Sequence, residues 1–151
     1  MKQRHPDYFE GILQLRNVSQ EIYDWVYDTI EREKKSTVAK EKLVTNGYDL
    51  YLADQHYLQA LGKRLKLRFA GEYEVSRRLF SQDRMSGKLL YRVTVLFRQL
   101  PFKVGDVIKT DDGAWKILHV GNQIRAQETA SGKRKMFKVH ELDRFVRLAL
   151  V

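Results

Sequence analysis

Asn46-Gly47-Tyr48-Asp49-Leu50-Tyr51-Leu52-Ala53-Asp54 is the stretch on which the fold turns. Asn46-Gly47 is the strongest short hairpin signal in the chain, because both residues accept the positive φ that a two-residue type I′ turn requires. After it, Tyr48, Leu50 and Leu52 fall on one face of a strand, with Asp49 and Tyr51 on the other. Asp54 then offers a carboxylate to the free amides of a helix's first turn. Tyr57, Leu58, Leu61 and Leu65 follow at helical spacing as a core stripe, and Lys63, Arg64, Lys66 and Arg68 lie on the far side.

Working outward, Val38 to Thr45 supplies the strand that enters the hairpin. Upstream, Tyr8 to Arg16 reads as a strand, with Phe9, Gly11, Leu13 and Leu15 on one face and Glu10, Gln14 and Arg16 on the other. Asn17 or Ser19 is placed to cap a helix whose apolar stripe is Ile22, Trp25, Val26 and Ile30, and whose opposite face is acidic. Downstream come two long strands. Tyr73, Val75 and Leu79 alternate in the first; Leu89, Tyr91, Val93, Val95 and Phe97 alternate in the second, with Arg92 and Arg98 outward. The order is β-α-β-β-α-β-β, and its first six elements match the split-βαβ pattern. The expected fold class is therefore α+β: a split-βαβ-like, mainly antiparallel sheet with two helices on one face.

Pro101 breaks the pattern, since proline cannot donate to a ladder. Short strands follow at Val104–Thr110, Ala114–Val120, Asn122–Glu128 and Arg134–Val139, with turns at Asp111-Asp112-Gly113, Gly121-Asn122 and Ser131-Gly132. This spacing predicts a small β-barrel of SH3-like or OB-like type, and His140 to Val151 reads as a closing strand or a short helix. The expected domains are residues 1–100 and 101–151.

The net charge of +9 and a sequence pI near 9.8 point to a polyanionic partner. Residues 60–98 hold 10 basic and 3 acidic side chains, whereas residues 1–59 hold 8 and 10. A charge gathered in one stretch marks a surface better than a uniform excess does. Lys63, Arg64, Lys66, Arg68, Arg77, Arg78, Arg84, Lys88, Arg92 and Arg98 are thus candidate RNA-binding residues, weighed against an ordinary solvated face. Ser131-Gly132-Lys133-Arg134-Lys135 is a second basic loop, weighed against a tight turn with charged flanks. Of the tyrosines, Tyr48, Tyr57, Tyr73 and Tyr91 read as core and Tyr51 as exposed; Trp25 and Trp115 read as core anchors.

The chain has no Cys, which excludes disulfides, thiol catalysis and Cys-ligated zinc. His5, His56, His119 and His140 lack metal-ligand spacing, and no phosphate loop, dinucleotide fingerprint or nucleophile elbow is present. No apolar run is long enough to span a membrane, and Met1 to Asp7 has no apolar stretch like a signal peptide, so a cytoplasmic protein is expected. The rival to RNA binding is an RNA-processing or RNA-modifying enzyme, or a subunit of one, built on acids such as Asp49, Asp54 or Glu74.

The segment Tyr8-Phe9-Glu10-Gly11-Ile12-Leu13-Gln14-Leu15-Arg16 is followed in order by Gly47-Tyr48-Asp49-Leu50-Tyr51-Leu52 and by Ser76-Arg77-Arg78-Leu79-Phe80. Then come Tyr91-Arg92-Val93-Thr94-Val95-Leu96-Phe97-Arg98 and Pro101-Phe102-Lys103-Val104-Gly105-Asp106. Together they resemble archaeal members of the nonsense-mediated-decay-protein-three family, whose eukaryotic members are nuclear export adaptors of the large ribosomal subunit. The resemblance implies an α+β domain and then a barrel similar to translation factor five-A. It implies binding to the large ribosomal subunit and its ribosomal RNA, with ribosomal proteins near the tRNA sites, in assembly or quality control. It implies no catalysis, no cofactor, no membrane and no small-molecule substrate. The basic cluster would then face ribosomal RNA, and the Lys133 loop the tRNA-exit region. Family members usually begin with a zinc region of several Cys pairs. This sequence has no Cys, so functions of that region are not carried over.

Overall fold

A computed structural model describes residues 6–82, 84–139 and 141. Two compact units form: one from the residues up to Phe69 together with Tyr73–Gln99, the other from Ala70–Glu72 together with the residues from Leu100 on.

The first unit contains β1 (Gly11–Arg16), α1 (Gln20–Glu33), β2 (Val38–Val44), β3 (Gly47–Leu52), α2 (Gln55–Arg68), β4 (Gly71–Gln82) from Tyr73 on, and β5 (Leu89–Gln99). Its five strands lie in the order β2-β3-β1-β5-β4. β3 is antiparallel to both β1 and β2, which is the expected split-βαβ unit. The sheet as a whole is mixed, because β1 and β5 run parallel, with Leu13 beside Val95 and Leu15 beside Phe97. Of the two late strands, β5 and not β4 takes the place next to β1, and the reason is apolar content. Val93, Val95 and Phe97 give β5 an unbroken apolar face toward the helices, whereas Glu74-Val75-Ser76-Arg77-Arg78 puts Arg77 on that face and is fit for an edge.

One core holds this layer. Leu13 and Leu15 of β1, Leu50 and Leu52 of β3 and Val93, Val95 and Phe97 of β5 are fully buried. Ile22, Val26 and Ile30 of α1 and Leu58, Leu61 and Leu65 of α2 close over the same face. Ser19 caps α1 by accepting from the Ile22 amide at 3.4 Å, and Asp54 caps α2 by accepting from His56 and Tyr57 at 2.8 and 3.0 Å. Asn17 is not the cap; it takes a left-handed φ of 54°, and its amide donates to the Asn46 carbonyl at 2.8 Å. Trp25 is only partly buried at the core's edge, and Thr29 occupies the buried position instead.

Several expectations about faces and turns are corrected. Phe9 does not follow Gly11 and Leu13 into the core; the backbone bends at Glu10, and the ring packs edge-on against Tyr51 at 4.8 Å. Val75, Leu79, Leu89 and Tyr91 have the expected alternation, but they are 40%, 54%, 44% and 37% exposed, at the sheet edge and toward the β4–β5 connection. The β2–β3 hairpin forms with Val44 paired to Gly47, which makes Thr45 and Asn46 the turn residues. Neither has a positive φ, so the turn is not type I′. Gly47 is needed within the ladder, since a Cβ there would lie 1.9 Å from the Leu15 carbonyl oxygen.

The second unit contains β6 (Val107–Thr110), β7 (Gly113–His119), β8 (Gln123–Glu128) and β9 (Arg134–Lys138), an antiparallel sheet in that order. This agrees with the small barrel-like part expected. Its core is Phe102, Ile108, Trp115, Ile117, Ile124, Ala126 and Phe137. β6 starts three residues late because Lys103 to Asp106 form a turn, in which the Lys103 amide donates to the Asp106 carboxylate at 2.9 Å. The stretch from His140 to Val151 lies outside the described residues except for Glu141.

Substituting Gly47→Ala should lower the unfolding free energy of the first unit by about 2 kcal/mol or more, because the backbone it meets cannot yield as a side chain would. Urea denaturation checks this.

Candidate nucleic-acid interface

The expected basic cluster does not form one surface. Strand alternation and the helical layer divide it between the two faces of the first sheet. On the helix side, Lys63, Lys66 and Arg68 are exposed along α2, and Arg77 reaches in from β4 to donate to Gln59 of α2 at 3.1 Å. Gln55, His56, Gln59, Ala60, Lys63 and Arg77 line a shallow cleft of about 340 Å³. Arg78, Arg92 and Arg98 lie on the opposite, helix-free face, while Arg84 and Lys88 flank the β4–β5 connection.

The cations also differ in how far they are already occupied. Arg64 donates to the Glu33 carboxylate at 2.6 Å and lies 5.7 Å from the Trp25 ring. Tyr57 donates to the same Glu33 oxygen at 2.7 Å. The Arg64 and Tyr57 hydrogen bonds hold the Glu33 carboxyl below its ordinary value, while burial first and then Glu33 push the Tyr57 phenol up to about 12. Glu33 therefore ties the end of α1 to α2 and engages Arg64 internally.

Arg92 is held more tightly. Its guanidinium stands 4.0 Å from the Phe9 ring centre and 3.9 Å from that of Phe80, and its buried Nε has no hydrogen-bond partner among the described residues. Lys40 lies 5.5 Å from the Tyr51 ring, which itself meets Phe9. A row of cations and rings thus runs from Lys40 on β2 to Phe80 on β4, across the helix-free face. Tyr51, expected to be exposed, is part of this row and only partly exposed. Arg16 is also occupied, paired with Asp49 at 2.7 Å.

The second basic loop divides as well. Lys133 sits in the β8–β9 turn, where Gly132 has a φ of 74° and the Lys133 carbonyl accepts from Glu128 at 2.8 Å. Arg134 points outward, while Lys135 lies on the Phe137 side, 4.9 Å from that ring and 3.9 Å from Asp112. Sequence reasoning missed a larger feature. Lys109, Lys116, Arg125 and Lys138 are all exposed, out of phase with the buried Ile108, Trp115, Ile117, Ile124 and Phe137. With Arg134 they cover the solvent face of all four strands of the second sheet. The signal was a basic residue next to each core position; it was passed over because no two of these residues are adjacent in sequence.

The acids that an enzyme would need do not converge. Asp49 is paired with Arg16, Asp54 caps α2, and Glu74 is exposed on β4. Among the described residues no group of His, Asp or Glu is arranged to hold a metal ion, and no described helix is long and apolar enough to cross a membrane.

A family model, the second domain of NMD3, matches residues 8–98. The chain belongs to the NMD3 family. The match covers β1 to β5, and the family is a ribosome-associated one. None of the curated proteins matches the chain.

Two outcomes test the division between held and free cations. Arg92→Ala should cost about 1–2 kcal/mol of stability through its two ring contacts, and Arg92→Lys should not restore it, since only a planar guanidinium stacks between rings. Arg78→Ala and Arg98→Ala should stay within about 0.5 kcal/mol in the same thermal melts. The second outcome concerns pH. The folded Tyr57 phenol titrates above the ordinary value of 10, so between about pH 10 and 12 the unfolded chain loses that proton first and stability falls as pH rises. Tyr57→Phe should flatten this part of the stability–pH curve.

Proposed function

We propose that the chain is a non-catalytic RNA-binding adaptor of the large ribosomal subunit, acting in subunit biogenesis or quality control. The observation that carries this reading is the set of exposed cations that remain once the internally held ones are set aside. In the first unit these are Lys63, Arg77, Arg78, Arg84, Lys88 and Arg98, joined by Lys66 and Arg68, which are exposed on α2 but lie over the Tyr73, Trp25 and Phe69 rings; in the second they are Lys133 and the solvent face of the sheet. Membership of the NMD3 family supplies the choice of the ribosome over other RNA. Duplex RNA is recognised mainly through its phosphates and 2′-hydroxyls, for which spread cations on rigid strands are suited. α1 presents Glu21, Asp24, Asp28 and Glu31 to solvent and turns away from the RNA. The partners on this reading are ribosomal RNA and ribosomal proteins near the tRNA sites, in the cytoplasm, with no cofactor and no small-molecule substrate.

Sedimentation with purified large subunits over a salt series tests it. Binding should weaken steeply with salt, and each phosphate contact removed should lower the slope of log K against log salt by about one. Reversing Arg77 and Arg78 to Glu strips both faces of β4 and should weaken binding more than reversing Asp28 and Glu31 to Lys. A larger loss from the α1 change would overturn the surface assignment.

A further inference from the structure

The β4–β5 arm carries a feature that phosphate binding does not use. β4 is the edge of the sheet beside α2, and past Leu79 and Val93 it and β5 continue as neighbours toward their connection. Val75, Leu79, Leu89 and Tyr91 keep the phase of the buried Val93, Val95 and Phe97, so all four lie on the helix side, yet they are 40%, 54%, 44% and 37% exposed. Aliphatic and aromatic side chains gathered on one face mark a protein contact, since RNA backbone gives them nothing to pack on. The adjoining wall is the flank of α2 that carries Gln59 and Lys63, linked to the arm by the Arg77–Gln59 hydrogen bond. The cations on this side are Arg77 of β4 and Lys63 of α2, while Arg78 lies on the opposite face.

We propose that this face of the arm, beside α2, is the docking surface for an acidic amphipathic helix of a partner protein. Laid next to α2, such a helix would extend the layer that α1 and α2 already form on this side of the sheet. Its apolar stripe would cover Val75, Leu79, Leu89 and Tyr91, and its acidic flanks would meet Arg77 and Lys63. The bound pair would repeat the arrangement of the unit's own helices, with apolar residues toward the sheet and charge at the margins.

The test uses the full chain and three fluorescein-labelled peptides in anisotropy titrations. One is an amphipathic helix with leucines at i, i+3, i+4 and i+7 and glutamates elsewhere. The second is its scrambled isomer, and the third replaces each glutamate by lysine. A labelled RNA duplex is titrated in parallel. The acidic amphipathic peptide should bind at least tenfold more tightly than either control. Leu79→Ser and Leu89→Ser should each weaken that peptide severalfold while leaving the far-UV circular dichroism and RNA affinity unchanged. Equal binding of the scrambled peptide would show charge attraction alone and overturn the proposal. Equal binding of the lysine peptide would remove its electrostatic basis. Loss of RNA affinity in the leucine variants, with peptide binding intact, would make the arm an RNA contact and overturn it too. Loss of RNA binding in the unsubstituted chain bears on the adaptor reading alone, because the peptide titrations are independent of it.

Discussion

The burial of β1 between β3 and β5 is the constraint on which the rest of the first unit depends. Leu13 and Leu15 have no solvent contact, and each is set against an apolar partner on both sides. The Gly47 backbone closes on the Leu15 carbonyl too tightly to admit a Cβ, and Gly11 is equally confined, with Leu58 and the Val93 carbonyl 2.3 and 2.8 Å from where its Cβ would be. These contacts leave β1 no freedom of register, since a slip of one residue would turn Leu13 and Leu15 out of the core.

From that fixed strand the placement of charge follows. Because β5 pairs with β1, β4 is displaced to the edge of the sheet, and a strand with Ser76-Arg77-Arg78 in its middle is tolerable only there. The edge position sends Arg77 toward α2 and Arg78 to the helix-free face. It also leaves apolar side chains of β4 and β5 at the sheet edge and toward the β4–β5 connection, where strand alternation continues without a core to receive them. The charged edge and the exposed apolar arm are thus two results of one topological choice. An arginine-bearing edge also discourages pairing with another sheet edge.

Much of this was legible in the residues. The order of elements, both helix stripes, the Asp54 cap and the buried set of β3 and α2 follow from period and cap chemistry, each of which is local. What was not legible depended on contacts distant in sequence. Asn46-Gly47 was read from turn preference alone, whereas Gly47 is constrained by Leu15, a residue on another strand. Phe9 was phased by simple alternation, which a bend at Glu10 interrupts. The place of β5 beside β1 was within reach, since its apolar run is more continuous than that of β4. In the candidate interface, Arg64 and Arg92 could not be told from Arg78 and Arg98, because a sequence gives the charge but not the carboxylate or rings that occupy it.

That last distinction changes what the net charge of +9 means. A cation between two rings or against a carboxylate is part of the fold, and a carboxylate partner already compensates its charge. A cation standing alone on a strand keeps its counterions and can exchange them for phosphates. Arg16, Arg64 and Arg92 belong to the first kind, and they stiffen the sheet and its link to the helices. Arg78 and Arg98, with Lys109, Lys116, Arg125, Arg134 and Lys138 of the second unit, belong to the second kind. Those of the second unit lie on strands, where their spacing is set by the ladder and not by loop motion. A backbone-reading surface needs such fixed spacing more than it needs total charge, because phosphates along a nucleic acid duplex are themselves regularly spaced.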